Sequence, residues 1–210
     1  MLRLLINQRR VWMAKRTIYL VRHGQYCNQA GESAMPDGAL TDLGQQQAQA
    51  LATRLAALPI SQIWHSPSIR ATETAQWLQQ QHPNIPLQIE PLLLELIPSI
   101  PNEEALPQST QAFFAKLEPA IVAAGAAQFA DLWQKYFGPA RADEQILLVS
   151  HGNLISAVVA AIFGAANTHW INADIQHCGL TEMSITDQGW RCLIRHGDVG
   201  HLPLAAQTFV

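Results

Sequence analysis

Two phrases of the same construction, more than a hundred residues apart, limit what this chain can fold into. Thr17-Ile18-Tyr19-Leu20-Val21-Arg22-His23-Gly24 and Gln145-Ile146-Leu147-Leu148-Val149-Ser150-His151-Gly152 are each a short apolar run closed by His-Gly. Runs of this length and composition, bounded by glycine, read as buried strands that stop where polar chemistry begins. If the two lie side by side in parallel, His23 and His151 come together. They then sit beyond the carboxyl ends of the strands, where open α/β sheets bind their ligands.

Arg22 narrows the choice of ligand. A fixed positive charge beside His23 repels a metal cation and suits an anion. Phosphate is the anion whose chemistry uses both groups. A neutral imidazole nitrogen attacks phosphorus in line, and guanidinium groups hold the non-bridging oxygens, where transition-state charge is spread. Neighbouring arginines also depress the imidazole pKa and keep the ring unprotonated.

At 210 residues and 49% hydrophobic, the chain can bury one full core. Lys and Arg number 13 against 16 Asp and Glu, so no overall basic field exists of the kind nucleic-acid binding relies on. The cysteines Cys27, Cys178 and Cys192 form neither a CxxC nor a Cys/His metal spacing. A reducing, cytoplasmic setting without structural zinc is therefore expected. Residues 1 to 16 hold Arg3, Arg9, Arg10, Lys15 and Arg16 but no acid. Their apolar patch is too short to span a bilayer. Met13-Ala14-Lys15 looks like a natural start, so 1–14 is expected to be an extension and 15–210 a single domain.

The chain between the two strands alternates in type. A polar loop from Gln25 to Gly38 leads to a helix over Gln45–Ala57, capped by Thr41 or Asp42. A strand follows at Ile60–Trp64, and a helix opens near Ser66 or Ser68 with Arg70 in its first turn. A short strand is expected at Pro86–Ile89. Glu95 then stands inside Leu92-Leu93-Leu94-Glu95-Leu96-Ile97, as a surface acid or as a desolvated one able to donate a proton. Gln111–Phe137 reads as helix broken near Gly125. Its Phe113, Phe114, Phe129, Trp133 and Phe137 are read as packing the core or covering the site rather than stacking bases. After His151, an apolar helix over Asn153–Phe163 points its amino end at the crevice. Thr181–Ile185 and Trp190–Ile194 read as a hairpin. The repeated triplet Arg195-His196-Gly197 is read as structural.

Together these phrases resemble the histidine phosphatase superfamily, which includes the cofactor-dependent phosphoglycerate mutases. Besides the two His-Gly strands, Leu40-Thr41-Asp42-Leu43-Gly44 and Ser66 to Ala75 are similar to family motifs, and the match runs from Thr17 to Pro203. Gln25-Tyr26, Leu93-Leu94-Glu95 and Gly197-Asp198-Val199-Gly200 are most similar to the family's mitochondrial Ser/Thr protein phosphatases.

The resemblance implies a three-layer α/β/α sandwich with a mostly parallel sheet and an edge hairpin. It implies His23 as nucleophile, Glu95 as proton donor, and Arg22, Arg70 and His151 as the phosphate pocket, with substrate contacts at Gly24, Asn28 and Gly152. The activity implied is that of a metal-independent, cofactor-free phosphatase of the histidine acid type, acting on a phosphoprotein or a small phosphometabolite through a phosphohistidine. A mutase is the alternative, weakened because Gln25 and Tyr26 replace the mutase loop residues and Asn28 stands one residue out of register. A phosphate-pocket scaffold without turnover is another. Expected partners are the phosphorylated substrate and phosphate ion, with no nucleic acid and no transmembrane segment; an oligomer stays open. His177, near a position where relatives carry asparagine, reads as an ordinary loop residue, with pocket contact as the second reading.

Overall fold

The computed structural model describes residues 14–27, 37–101 and 106–209. The expected extension over residues 1–14 falls almost wholly outside them, as does Asn28. In chain order the elements are β1 (Lys15–Arg22), α1 (Asp42–Leu55), β2 (Gln62–His65), α2 (Ile69–Gln80), β3 (Leu87–Ile89), α3 (Gln108–Phe114), α4 (Pro119–Tyr136), β4 (Glu144–Ser150), α5 (Gly152–Ile162), β5 (Leu180–Thr186) and β6 (Arg191–Asp198).

The strands form one sheet in the order β3-β2-β4-β1-β5-β6. β1 to β4 are parallel, and the β5–β6 hairpin runs antiparallel along one edge. Successive strand residues point to opposite faces, which explains why the middles of β1 (Ile18–Val21) and β4 (Ile146–Val149) are apolar without alternation. Tyr19, Val21, Leu147 and Val149 face α1 and α2, packing on Ala48, Leu51, Ala71 and Leu78. Ile18, Leu20, Ile146 and Leu148 face α4 and α5, packing on Leu132, Tyr136, Leu154 and Val158. Two cores sandwich the sheet, and the three-layer expectation holds.

β4 pairs with both β1 and β2, so the segments leaving all three strands emerge side by side on the carboxyl edge. The register pairs Arg22 with Ser150, which makes His23 and His151 the first residues beyond adjacent strand ends. α1 begins at Thr41, whose hydroxyl accepts the Gly44 N–H; α2 begins at Ser68, whose hydroxyl accepts the Ala71 N–H.

The expected long helix over 111–137 is two helices, and the break is not at Gly125. α3 ends at Phe114, and α4 starts at Pro119, a residue favoured at a helix's first turn. Gly125 lies inside α4 because the backbone of Ile97 crosses the helix there: a Cβ on Gly125 would sit 2.3 Å from the Ile97 carbonyl oxygen. β6 also runs further than the pattern suggests and contains Arg195, His196 and Gly197 as strand residues.

Gly125→Ala tests that crossing. Alanine is the better helix former by about 1 kcal/mol, yet the contact with backbone should reverse the sign. We expect a net loss of about 1–3 kcal/mol, read as a lower melting temperature by circular dichroism. An unchanged or higher melting temperature would contradict the close packing.

Candidate active site

Four loops converge on the carboxyl edge, and a single guanidinium joins two of their side chains. Arg70, in the first turn of α2 and 6% exposed, donates from Nε to His23 Nε2 at 3.0 Å. From Nη2 it donates to His151 Nδ1, also at 3.0 Å. Arginine has no acceptor, so each of those ring nitrogens presents its lone pair and carries no proton. The opposite nitrogens then hold the hydrogens. His23 Nδ1–H donates to the Gly24 carbonyl at 2.9 Å, and His151 Nε2–H donates to Ser66 Oγ at 2.8 Å. The ring centroids are 5.1 Å apart.

Both rings are neutral for reasons beyond hydrogen bonding. Burial lowers the His23 pKa well below the usual histidine value, with His151 and Arg70 lowering it further. Burial does the same for His151, followed by Arg70 and Arg22. A neutral imidazole with a fixed tautomer is a poised nucleophile.

Arg22 is 5% exposed and donates from Nη1 to the Ile175 carbonyl. Its Nε is buried with no hydrogen-bond partner among the described residues. An unmatched guanidinium N–H is costly in an interior unless an acceptor arrives to fill it. Gly152 lies against this side chain, where a Cβ would stand 3.6 Å from the guanidinium carbon. Gly24 donates its N–H to Thr74 Oγ1 at 3.0 Å, fastening the loop after β1 to α2. Gly44 allows the same loop to pack on α1, since a Cβ there would lie 1.9 Å from the Gln25 carbonyl oxygen.

Glu95 completes the arrangement. It lines a cavity of about 380 Å³ together with Arg22, Arg70, Tyr26 and the start of α5. Desolvation pushes its pKa up to about 7, outweighing hydrogen bonds from the Leu96 and Leu154 N–H groups and the two arginines, all of which lower it. The amino end of α5 thus meets the Glu95 carboxyl. Among the described residues no group of three or more His, Cys, Asp or Glu side chains is arranged to hold a metal ion.

The five candidate residues Arg22, His23, Arg70, Glu95 and His151 therefore come together, with Gly24 and Gly152 beside them. Several neighbours escaped the sequence reading. Ser66 holds His151 rather than capping α2. Tyr26 packs its ring edge-on to His23 at 5.2 Å and under the Arg70 guanidinium at 4.6 Å. Asp37 pairs with Arg70 Nη1 at 3.0 Å. His177 stands 5.7 Å from His23, ring to ring, with its Nδ1 bonded to Thr208 Oγ1, and it is not among the residues lining the cavity. Burial, then Arg22, pushes its pKa down to about 3. His201 is elsewhere, beside Arg54.

Two histidines and two arginines meet at the carboxyl edge of a mixed, mostly parallel sheet, an arrangement chemically suited to an oxyanion such as phosphate, and the sequence agrees. The pattern of the histidine phosphatase superfamily (branch 1) matches residues 18–198, and the chain belongs to that superfamily. The mitochondrial serine/threonine-protein phosphatase Pgam5 of Caenorhabditis elegans is 30% identical over 196 residues, covering 90% of this chain. Human mitochondrial PGAM5 is 27% identical over 197 residues, again covering 90% of this chain. The chain spans 65% of the length of each of these relatives. Among solved structures, a putative alpha-ribazole-5'-P phosphatase from Escherichia coli superposes with a TM-score of 0.70 at 20% identity, over 88% of this chain and 97% of that one. A phosphoglycerate mutase from Bacillus anthracis superposes with a TM-score of 0.68 at 17% identity, over 90% of this chain and 96% of that one. These likenesses establish the fold, phosphoglycerate mutase-like, within a family whose relatives include phosphatases. Among the described residues no helix is long and apolar enough to cross a membrane.

The raised Glu95 pKa makes a stability prediction with a definite sign. The folded protein binds this proton more tightly than the unfolded chain, so the stabilisation is full below about pH 4.5 and is lost as pH rises through about 7. Glu95→Gln, which cannot ionise, should therefore be more stable than the parent at about pH 8 by on the order of 2–3 kcal/mol, the difference vanishing near pH 4.5. Melting curves at the two pH values check this; equal gains at both would show that the carboxyl is not desolvated.

Proposed function

We propose that the protein hydrolyses phosphate monoesters through a phosphohistidine on His23. The observation that carries the reading is the Arg70 guanidinium bonded to both imidazole lone pairs. An incoming phosphoryl group offers Arg70 better, charged acceptors than neutral nitrogens. As the guanidinium turns to the phosphate oxygens, His23 Nε2 is freed within reach of phosphorus, its ring still held by the Gly24 carbonyl.

Each neighbour then has a role. Arg22 offers its unmatched Nε–H to the phosphoryl group, and His151 faces the same group from the adjacent strand. His23 Nε2 bonds to phosphorus as the ester oxygen departs, and Glu95 gives that oxygen its proton. Water next attacks the phosphohistidine, with the Glu95 carboxylate accepting a proton, which returns both residues to their starting states. Gly24 and Gly152 border the phosphate, and Asn28 remains a candidate contact outside the described residues. The chemistry needs no cofactor or metal. The phosphatase relatives support hydrolysis over mutase activity, and a phosphoprotein or a small phosphometabolite fits the site. Three free thiols, Cys27 and Cys192 exposed and Cys178 buried, are in keeping with a reducing compartment such as the cytoplasm.

Turnover of p-nitrophenyl phosphate should be abolished in His23→Ala, and rapid acid-free quenching of the parent should trap phosphate on His23. Substantial activity in the variant would refute the assignment. Because the free enzyme needs Glu95 protonated, kcat/KM for an ester with a poor leaving group should fall as pH rises through about 7. The histidines, held well below their usual pKa, leave the acid side flat near neutrality. A profile that instead rises across pH 7 would exclude Glu95 as the donor.

A further inference from the structure

The cavity has two unlike ends. One holds Arg22, Arg70 and Glu95, the groups that handle phosphate. The other is a wall of Ile97, Phe113, Trp170 and Ile171. A neighbouring cavity of about 550 Å³ shares Phe113, Asn153, Trp170 and Ile171, so this wall continues past the first chamber and leaves room for a sizeable group. Trp170 is anchored from behind: its indole N–H donates to the Ser99 carbonyl and Phe114 packs edge-on against it at 6.2 Å. Phe113, by contrast, is 44% exposed at the end of α3.

Charge separates the two ends as sharply as hydropathy does. Among the described residues lining either cavity, Arg22 and Arg70 are the only cations, and both stand at the histidine end. The further charged lining residue is Asp174, a carboxylate. Asp174 interacts with Arg22, whose pKa it raises, so it too belongs to the histidine end. A second phosphate or carboxylate reaching towards Phe113 and Ile171 would meet no cation among the described lining residues there and would lose water without gaining a partner. An apolar ring would instead cover the exposed face of Phe113 and the partly exposed Ile171, over a floor made by the buried Trp170, and apolar area removed from water is worth about 25 cal/mol for each Å².

We propose that the substrate is a phosphate monoester of an uncharged alcohol bearing an aromatic or bulky apolar group, and that Phe113, Trp170 and Ile171 bind that group. The inference rests on the phosphatase reading above and adds the substrate class. It excludes small phosphorylated acids such as phosphoglycerates from efficient turnover. Specificity of this kind comes from what the wall lacks as much as from what it offers.

The test compares 2-phenylethyl phosphate, ethyl phosphate and 3-phosphoglycerate on the full chain, with p-nitrophenyl phosphate as the activity control. The first two release alcohols of similar acidity, so their ratio reports binding of the phenyl group rather than ease of departure. We expect kcat/KM for the phenylethyl ester to exceed that for the ethyl ester by at least about tenfold, and 3-phosphoglycerate to be the poorest of the three. Phe113→Ala should reduce the phenylethyl-to-ethyl ratio several-fold. Phe113 is 44% exposed but also packs edge-on against Phe114 at 5.3 Å, so unchanged kcat/KM for ethyl phosphate in the variant is the check that the Phe114–Trp170 packing stays in place.

Equal kcat/KM for the two esters, a preference for 3-phosphoglycerate, or a ratio unmoved by Phe113→Ala would overturn the substrate class while His23-dependent turnover of p-nitrophenyl phosphate still stood. Absence of that control turnover would instead remove the phosphatase reading, and the substrate class with it.

Discussion

Everything at the carboxyl edge depends on the Arg70 guanidinium lying between two imidazoles. A buried cation is costly, and this one sits where helix electrostatics are also against it, in the first turn of α2, whose free N–H groups already carry partial positive charge. Asp37 offsets part of the cost. Its carboxylate accepts the Ile69 N–H at 2.9 Å and pairs with Arg70 Nη1 at 3.0 Å. A charge kept at an unfavourable position, with a dedicated counter-ion, indicates that the position itself is needed. What it secures is a fixed tautomer on each histidine and a bare Nε2 on His23.

The fold supplies the rest by topology. Because β4 lies between β1 and β2, residues from three distant stretches of chain share one edge: His23 after β1, Ser66 after β2 and His151 after β4. Glu95 follows β3 and reaches the same cavity through an irregular segment, where desolvation and the α5 amino end act on it in opposite directions. Desolvation wins, leaving an acid that is half-ionised near neutral pH. Such a group costs stability above its pKa and serves proton transfer in both directions, so the penalty and the chemistry have one origin.

Sequence carried more of this design where the signal was local. The strands could be read from apolar runs of five or six residues, and the echo of His-Gly at their ends announced the site. Arg70 and Glu95 were visible because a cation at a helix start and a carboxylate among leucines break local rules. What stayed hidden depended on chain closure. Ser66 resembled a helix cap until His151 arrived across 85 positions to use its hydroxyl. Asp37 has no local mark, since its partner comes from α2. Gly125 signalled a helix break, yet α4 runs through it because the Ile97 backbone demands a residue without a side chain. A tertiary contact overrode a propensity, and the actual break fell at Pro119.

The central claim is that His23 rests as a neutral ring with its proton on Nδ1 and its Nε2 bare. Nitrogen-15 NMR of histidine-labelled protein reads both nitrogens directly. The account predicts one protonated and one unprotonated nitrogen on His23, in the Nδ1–H form, persisting well under the ordinary histidine pKa because burial, His151 and Arg70 all disfavour the charged ring. A ring carrying its hydrogen on Nε2, or one doubly protonated near pH 6, would contradict it.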